Sequence, residues 1–429
     1  MISQIIFIII LLAATVSFWR AVSRISKNIN LGRPLERKDH PSERWKTMFM
    51  VAIGQSKMVK RPLAGIMHIL IYVGFIIINI EVLEILIDGV MGTHRIFSFL
   101  GSFYTFLISA FEFLAVGVML ACFTFLLRRN VAKLKRFWSR EMTAWPRSDA
   151  NIILITEIFL MTAFLFLDAS DTILMRNIKG FPVSNLLVPV LQGCSGSTLE
   201  FIEHFCWWFH IIGILAFLNY VPYSKHFHII LSFPNVWYSN LNPKGEFNNL
   251  ASVTKEIKLM LDPSSAPADA GNAPPPERFG AKDVFDLSWK QLMDSYSCTE
   301  CGRCTSSCPA NQTGKLLSPR KIMMDTRDRL EEVGKNIAKN GKFVDDGKSL
   351  LNDYILPEEV WACTSCNACV QECPVNIDPL SIIVDIRRFL VMEQSAAPQE
   401  LAMMLNNIEN NGAPWQFPTS DRLNWVSGV

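Results

Sequence analysis

Charged residues are scarce in this sequence. Of its 429 residues, 19% are Asp, Glu, Lys or Arg, whereas soluble globular proteins carry about 25%. Half of the residues are hydrophobic, and the mean hydropathy is +0.23. This composition excludes a disordered chain, a collagen-like fibre and a small disulfide scaffold, and it favours a membrane protein.

Motifs that mark a site for a soluble substrate are also missing. The sequence has no G-x-G-x-x-G unit or P-loop for a nucleotide, no G-x-S-x-G nucleophile turn and no H-E-x-x-H zinc motif. It therefore gives no sign of a nucleotide, flavin or hydrolase site.

Long apolar runs are present instead. Five stretches are long enough to cross a bilayer as helices, near 2–22, 62–87, 103–127, 151–173 and 201–223. The segments 20–61 and 128–147 hold 11 and 7 Lys or Arg, whereas the alternate loops hold only Arg95, Arg176 and Lys179. The positive-inside rule predicts a multi-pass protein of a bacterial-type inner membrane, with an outer amino terminus and a cytoplasmic chain after the fifth helix.

The net charge of +2 conceals two different halves. Residues 1–229 carry 22 basic and 14 acidic residues (+8), and residues 230–429 carry 19 and 25 (−6). Because the basic half also contains the apolar runs, inner-face loops explain its charge better than nucleic-acid binding does.

Eight of the 11 cysteines form two runs of identical spacing. The first run is Cys298-x2-Cys301-x2-Cys304-x3-Cys308, the second run is Cys363-x2-Cys366-x2-Cys369-x3-Cys373, and proline follows each. Zinc sites usually pair cysteines as separated C-x2-C units, whereas this spacing is typical of two-cluster ferredoxins, in which the fourth cysteine of a run binds the other cluster. We predict one [4Fe–4S] cluster on Cys298, Cys301, Cys304 and Cys373, and another on Cys363, Cys366, Cys369 and Cys308.

The residues between the two runs show a helical period, with apolar Ile322, Leu330 and Val333 among charges. Together with the runs, residues 285–390 resemble the helical two-cluster ferredoxin domain found in the C subunit of heterodisulfide reductase and in succinate dehydrogenase iron–sulfur subunits. The chain lacks the Cys-Cys-Gly repeats of the heterodisulfide reductase catalytic domain. The resemblance therefore implies a separate cytoplasmic partner that carries such repeats or is flavin-linked.

Histidines inside membrane helices are candidates for function, although a lone one can be a hydrogen bonder between helices. His210 and His228 are 18 residues apart, which on one continuous helix is five turns and about 27 Å, so we expect them to share a face. His204 and His226 fall off that face. His68 lies at a depth comparable to that of His228. Because neutral imidazole is a usual axial ligand of b-type haem, we predict a bis-histidine haem between His68 and His228.

These histidines lie in the segments GIMHILIYVGF, WWFHIIG and YVPYSKHFH. With them, residues 1–232 resemble the haem-b membrane subunit of respiratory nitrate reductase and its relatives in sulfite-reduction and heterodisulfide-reductase complexes. In that family a second histidine follows the first by about three turns, but Ile78 and Asn79 stand there in this sequence. A second, outer haem would need His94 to meet His210. The alternative is that His210 is a packed polar residue.

Carboxylates within membrane helices often mark proton paths. Glu112 and Glu157 could exchange protons with a quinol, or they could pair with a neighbouring helix. Glu81 and Glu84, near the outer end of their helix, are expected to face the interface.

The predicted fold is all-α and has four parts: a five-helix membrane domain at 1–232, a linker at 233–282 with a proline-rich segment, a cytoplasmic two-[4Fe–4S] domain at 283–395 and a tail at 396–429. The resemblances imply an electron-transfer subunit that links menaquinone or ubiquinone, haem b and two clusters to a cytoplasmic partner. Two alternatives stay open, namely a haem-free membrane anchor for a ferredoxin and a cluster-based redox sensor.

Overall fold

The computed structural model describes residues 1–174, 180–265 and 278–428. Residues 266–277 of the proline-rich segment, which we predict at 262–280, and the loop residues Arg176 and Lys179 lie outside this range. The described residues form helices and no strand, with isolated β-bridges at Arg33–Ser288 and Leu351–Ile355. The all-α prediction is confirmed.

The first half of the chain contains the membrane helices. Its helices are α1 (Ile2–Ile29), α2 (Pro41–Met48), α3 (Pro62–Met91), α4 (Ser102–Leu126), α5 (Trp145–Leu174), α6 (Val188–Leu191), α7 (Gly196–Tyr220), α8 (His228–Trp237) and α9 (Ala251–Leu261). Among the described residues, α1, α3, α4, α5 and α7 are long and apolar enough to cross a membrane, as predicted. Local signals limit them: α3 begins at a proline and ends at Gly92, whose φ is +72°, and the Ser195 side chain caps α7 by accepting from the Thr198 N–H.

The second half folds into short helices around one long one. They are α10 (Trp289–Ser297), α11 (Arg303–Ser306), α12 (Pro309–Gln312), α13 (Pro319–Asn340), α14 (Leu350–Asp353), α15 (Pro357–Trp361), α16 (Ala368–Glu372), α17 (Pro379–Met392) and α18 (Gln399–Asn411). Apolar residues of α10, α13 and α17 form its core, and Ile25, Val221 and Phe227 of the first half belong to the same buried cluster.

The first helix fastens the two halves together. The carboxyl-terminal turn of α1 reaches the iron–sulfur domain, where Asn28 Nδ2 donates to the Tyr296 hydroxyl at 2.8 Å. Gly334 of α13 allows this approach, because a Cβ there would lie 2.2 Å from the Asn28 side chain. We call the end of the helix bundle that contacts the iron–sulfur domain the near end, and the opposite end the far end.

The region after α7 differs from the prediction. The helix stops at Tyr220, two single 3-10 turns follow at Val221–Tyr223 and Lys225–Phe227, and α8 then begins at His228. Ser224, between the turns, is extended with φ −117° and ψ 160°. His210 and His228 therefore do not lie on one continuous helix, and the argument that they share a face is wrong. The α8 helix also continues past residue 232, the predicted end of the membrane domain.

Candidate iron–sulfur and haem sites

The first three cysteines of the first run face the last cysteine of the second run. Cys298, Cys301, Cys304 and Cys373 line one cavity, which Cys369 also reaches. This is the arrangement that the exchange of fourth ligands requires, and it supports the predicted assignment of the first cluster.

Both runs use the same backbone conformation. Glu300 and Ser365 follow the first cysteine of their runs by two residues, and Gly302 and Asn367 follow it by four. All four residues have positive φ, between 52° and 69°. Such left-handed residues turn backbone N–H groups towards a common point, which suits an anionic iron–sulfur cluster.

The surroundings of the first cavity also fit a cluster. Burial raises the pKa of the Cys298 and Cys373 thiols to about 12, so an iron atom would have to supply the charge that keeps them as thiolates. The Ile377 N–H donates to Cys373 Sγ at 3.2 Å. Burial also lowers the pKa of Arg136 to about 10, and its buried Nη1 has no partner within the described part of the chain. A cluster beside Cys301, whose charge acts on Arg136, would provide one.

The second run is more open. Cys308 and Cys369 are buried, Cys363 is half-buried and Cys366 is exposed. The charges of Cys363 and Cys369 both interact with Cys308, the fourth cysteine of the first run. Arg387 lies beside this run, where its guanidinium donates to the Cys363 carbonyl and, at 3.3 Å, to Ser365 Oγ.

Membrane-domain loops close over the first run. Arg303 Nη1 donates to the Lys57 carbonyl at 3.0 Å, and Lys57 Nζ donates to the Cys373 carbonyl at 3.2 Å. Arg61 pairs with Glu372 at 3.2 Å. The first cavity therefore lies at the junction with the near end of the bundle.

The structure brings His68 and His228 together at the near end. Their ring centres are 6.4 Å apart and the rings are inclined by 40°. A nitrogen–metal bond is about 2.0 Å long, and the imidazole nitrogen lies about 1.15 Å from its ring centre. Two imidazoles on opposite sides of one metal would therefore have ring centres about 6.3 Å apart. The separation therefore fits a metal bound by both imidazoles.

The nitrogens of this pair are also suited to metal binding. Burial lowers the pKa of His228, so its imidazole is neutral, and its Nδ1 lies 3.0 Å from the Lys225 carbonyl. A donor bond at Nδ1 leaves Nε2 free as the ligand. His68 Nδ1 is buried and has no hydrogen-bond partner among the residues that the structure describes. The two residues therefore fit the bis-histidine haem that the sequence predicts.

Sequence reasoning set aside a third histidine of this site. The His226 ring is perpendicular to that of His228, with centres 5.4 Å apart, and burial lowers its pKa to about 3. A periodicity argument could not find it, because the helix breaks before both residues.

Lys225 connects this site to the first run. Its carbonyl faces His228, while its Nζ binds Glu300 Oε2 at 2.6 Å. Glu300 lies between Cys298 and Cys301, so one lysine contacts both the histidine pair and a cluster loop.

The other two histidine candidates are not brought together. His210 Nδ1 lies 2.9 Å from the Leu160 carbonyl, and its ring packs 6.0 Å from Phe164. His94 Nε2 lies 3.5 Å from Asp171 Oδ2, and the hydrogen bond with Asp171 raises the pKa of His94. Within the described residues no hydrogen bond or ring contact joins His94 to His210. The structure therefore favours the packed-residue interpretation of His210.

The expectation that Glu81 and Glu84 face the interface is wrong. Both are buried at the far end, because Arg95 folds back from the loop after α3. Glu84 accepts from the Tyr104 hydroxyl at 2.9 Å and from the Phe97 N–H at 2.7 Å. Glu112 pairs with the neighbouring loop, where it accepts the backbone N–H groups of 183 and 184.

Comparisons with known proteins agree with this arrangement of the cysteines. Residues 297–377, which include both runs, match a family described as a 4Fe-4S dicluster domain. The C subunit of the ferredoxin/F(420)H(2)-dependent CoB-CoM heterodisulfide reductase of Methanosarcina acetivorans is 34% identical over 28% of this chain and 60% of its own length. The predicted resemblance of the iron–sulfur domain to the C subunit of heterodisulfide reductase is confirmed.

Two longer relatives match nearly the whole chain. The probable iron-sulfur-binding oxidoreductase FadF of Bacillus subtilis is 27% identical over 99% of this chain, and the EtfAB:quinone oxidoreductase of Syntrophomonas wolfei is 27% identical over 91%. The chain spans 60% and 55% of their respective lengths. No solved structure matches it. The comparisons and the five apolar helices establish a membrane protein with an iron–sulfur domain of the electron-transfer type, and the haem remains a prediction.

Proposed function

We propose that the chain is the membrane-bound electron-transfer subunit of a quinone-linked oxidoreductase. It would carry electrons between menaquinone or ubiquinone in the bilayer and a cytoplasmic redox partner, with one haem b and two [4Fe–4S] clusters as one-electron carriers. His68 and His228 are the proposed haem ligands, and the two exchanged cysteine sets are the proposed cluster ligands.

The observation that carries the proposal is the connection between the histidine pair and the first cysteine run. His68 and His228 are spaced for a shared metal, and Lys225 links His228 to the Glu300 loop of the first cavity. A simple anchor would have no need for two buried, facing imidazoles at the junction with the cluster domain, because unpaired buried polar groups are costly.

The second run supports the position of the partner. Cys366 is exposed, whereas the first cavity is covered by membrane-domain loops. A soluble protein can therefore approach the second cluster more closely than the first. The proposed partner carries Cys-Cys-Gly repeats or a flavin, and the name of the S. wolfei relative, which pairs EtfAB with a quinone, supports a link of this kind.

The charge of the loops supports the orientation. The near-end segments 20–61 and 128–147 contain 11 and 7 basic residues. We therefore propose that the near end and the iron–sulfur domain face the cytoplasm and that the amino terminus is outside.

A reduced-minus-oxidised visible spectrum of the purified full chain tests the proposal. We expect a b-type spectrum that His68→Ala and His228→Ala each abolish, while iron and sulfide contents stay unchanged. His210→Ala and the loop control His40→Asn should retain it. A wild-type protein without haem would contradict the proposal and favour a tethered ferredoxin. Loss of haem in His210→Ala alone would contradict His68 and His228 as the ligands and assign the haem to His210.

A further inference from the structure

A second group of buried ionisable side chains lies at the far end of the bundle, away from the proposed carriers. Most belong to membrane helices, and all except the partly exposed His94 are buried. They are Glu81, Glu84 and Asp88 on α3, His94 and Arg95 in the following loop, Tyr104 and Glu112 on α4, Asp168 and Asp171 on α5, and Glu203 on α7.

Arg95 is the centre of this far-end network. Its Nη2 donates to Asp168 Oδ1 at 2.5 Å, and its Nε donates to Asp171 Oδ2 at 2.7 Å. Its Nη1 lies 3.3 Å from the Tyr104 hydroxyl and 4.0 Å from Glu81 Oε1. One guanidinium therefore holds carboxylates of two helices beside each other.

Two oxygens of this network have no hydrogen-bond partner in the described part of the chain. Glu81 Oε2 and Asp168 Oδ2 are buried and make no hydrogen bond within the described residues, and the side chains are only 4% and 0% exposed. The two carboxyl groups are close enough to interact electrostatically. By contrast, the oxygens of Glu84, Asp88 and Glu112 are occupied by backbone N–H or hydroxyl donors.

The charges of the network do not balance. Among the described residues, seven carboxyl groups are accompanied by Arg95, His94 and the neighbouring His204, which would leave four uncompensated negative charges if every group were ionised. An uncompensated charge in a buried site is strongly destabilising. We therefore expect the carboxyl groups without neutral hydrogen-bond donors to bind protons, which makes them candidate proton donors and acceptors inside a membrane domain.

The network also reaches the far-end surface. One ligand atom each of His94, Asp171 and Glu203 lie within 4.8 Å of one another. Glu203 Oε2 lies 2.6 Å from Nδ1 of His204, whose side chain is 74% exposed. A series of neighbouring polar side chains therefore connects solvent with Asp171, which shares Arg95 with Asp168.

The same three residues have the chemistry of a cation site, but Arg95 argues against a metal ion. Asp171 Oδ2 already accepts from Arg95 Nε and lies 2.7 Å from its Nη2. A divalent cation on that oxygen would lie beside a permanent positive charge. Protons can instead bind to the open oxygens of Glu81 and Asp168, neither of which accepts a hydrogen bond from Arg95.

We propose that Glu81 and Asp168 exchange protons with the membrane quinone, through hydrogen bonds from its hydroxyl groups to the two open carboxyl oxygens. This inference rests on the proposed function. Oxidation of a quinol breaks two O–H bonds, releases two protons to these groups and passes two electrons to the one-electron carriers and the cytoplasmic acceptor; quinone reduction is the reverse. Arg95 is a positioning residue, and Asp171, His94 and Glu203 connect the site to the far-end surface.

The test uses the full-length protein in liposomes. Stopped-flow absorbance measures the rate at which menadiol reduces the haem, and a pH-sensitive dye reports on which side of the membrane protons are released. We expect Asp168→Asn and Glu81→Gln to slow this rate by at least about tenfold, because they remove proton acceptors. Haem content and reduction by dithionite should be unchanged, and Asp168→Glu should restore part of the rate. Glu200→Gln, an exposed carboxyl of the same end, is the matched control and should be as fast as the wild type.

The outcomes separate the two proposals. If menadiol fails to reduce the wild-type haem, the proposed function is wrong. If it reduces the wild type and both variants equally fast, or if Glu157→Gln is the variant that slows the reaction, only the proton site is wrong. Release of protons on the iron–sulfur side would likewise overturn it.

Discussion

The two cysteine runs have the same spacing and the same left-handed backbone positions, yet their surroundings differ. The first is covered by membrane-domain loops and has Lys57, Arg136, Arg303 and Arg320 around it. The second has an exposed cysteine and Arg387 beside it. Because a cluster's potential depends on charge, hydrogen bonds and solvent exposure, one motif used twice can give two carriers with different tasks.

The largest expected effect comes from breaking the exchange of fourth ligands. Cys373→Ala should remove half of the cluster iron, because only the cluster bound mainly by the second run would remain. Since that run is exposed, a water-soluble chelator should bleach the remaining cluster quickly. Cys308→Ala should leave the covered cluster, which should bleach slowly. Cys194→Ala, which removes a cysteine outside both runs, is the control and should keep all the iron. The opposite assignment of fast and slow bleaching would contradict the exchange.

The next effect concerns the covering of the first run. Burial would raise the pKa of Glu141, but Arg320 and hydrogen bonds from Ser318 and Arg320 outweigh it, so the pKa is lowered. Glu141→Gln should cost about 3 kcal/mol, because it leaves the buried Arg320 without its carboxylate. Thermal unfolding should show this as an earlier transition.

The sign of that pKa shift fixes the pH dependence. A carboxyl with a depressed folded pKa stabilises the protein fully above its unfolded pKa of about 4.3, and this contribution is lost only as the pH falls through the lower folded value. The difference between wild type and Glu141→Gln should therefore be constant from pH 8 to 5 and shrink only in stronger acid. Glu332→Gln, which breaks an exposed pair with Lys348, should cost at most about 0.5 kcal/mol.

A smaller effect should distinguish the two equivalent left-handed positions. Gly302 has φ +69°, and a Cβ there would lie 2.5 Å from Arg320 Nη1, whereas Asn367 has the same conformation with a side chain already accommodated. Gly302→Ala should cost about 2 kcal/mol and Asn367→Ala about 0.5 kcal/mol. The temperature at which each cluster bleaches would measure both. Equal effects would mean that the covering does not constrain the first run.

The smallest effect is electrostatic. Arg387→Gln removes a positive charge beside Cys363 and should lower the potential of the second cluster by roughly 40 mV, which corresponds to about 1 kcal/mol of lost attraction. The first cluster should not shift. Arg387→Lys should keep most of the potential, and Arg388→Gln, whose arginine pairs with Asp385, is the neighbouring control. A redox titration followed by EPR would resolve the two clusters.

These comparisons also show what the sequence can predict. The membrane helices and the cysteine runs are local patterns, since hydropathy and ligand spacing are properties of adjacent residues, and both predictions held. The pairing of His68 with His228 was expected from depth and is present as a close contact. The prediction that His210 and His228 share a face of one helix failed, because α7 ends before Pro222 and Ser224 and does not reach His228. Pro222, with Ser224 two residues after it, was the available signal in the sequence.

The far-end network could not be predicted in the same way. Glu81 and Glu84 lie near a helix end, where carboxylates usually meet solvent, and only the return of Arg95 from the next loop makes them interior groups. Their partners are Arg95 and Phe97 from the following loop and Tyr104 from α4. No window of the sequence contains that information, because it depends on tertiary packing.

The length of α3 makes the proposed reaction depend on the membrane voltage. Glu81 is thirteen residues beyond His68, a rise of about 20 Å, or about two thirds of the roughly 30 Å hydrocarbon layer. Electrons entering at one end and protons at the other would separate charge across that distance. At 100 mV, with the iron–sulfur side negative, each electron would gain about 1.5 kcal/mol on its way to the far end. The membrane voltage would therefore favour quinone reduction over quinol oxidation by about tenfold for every electron.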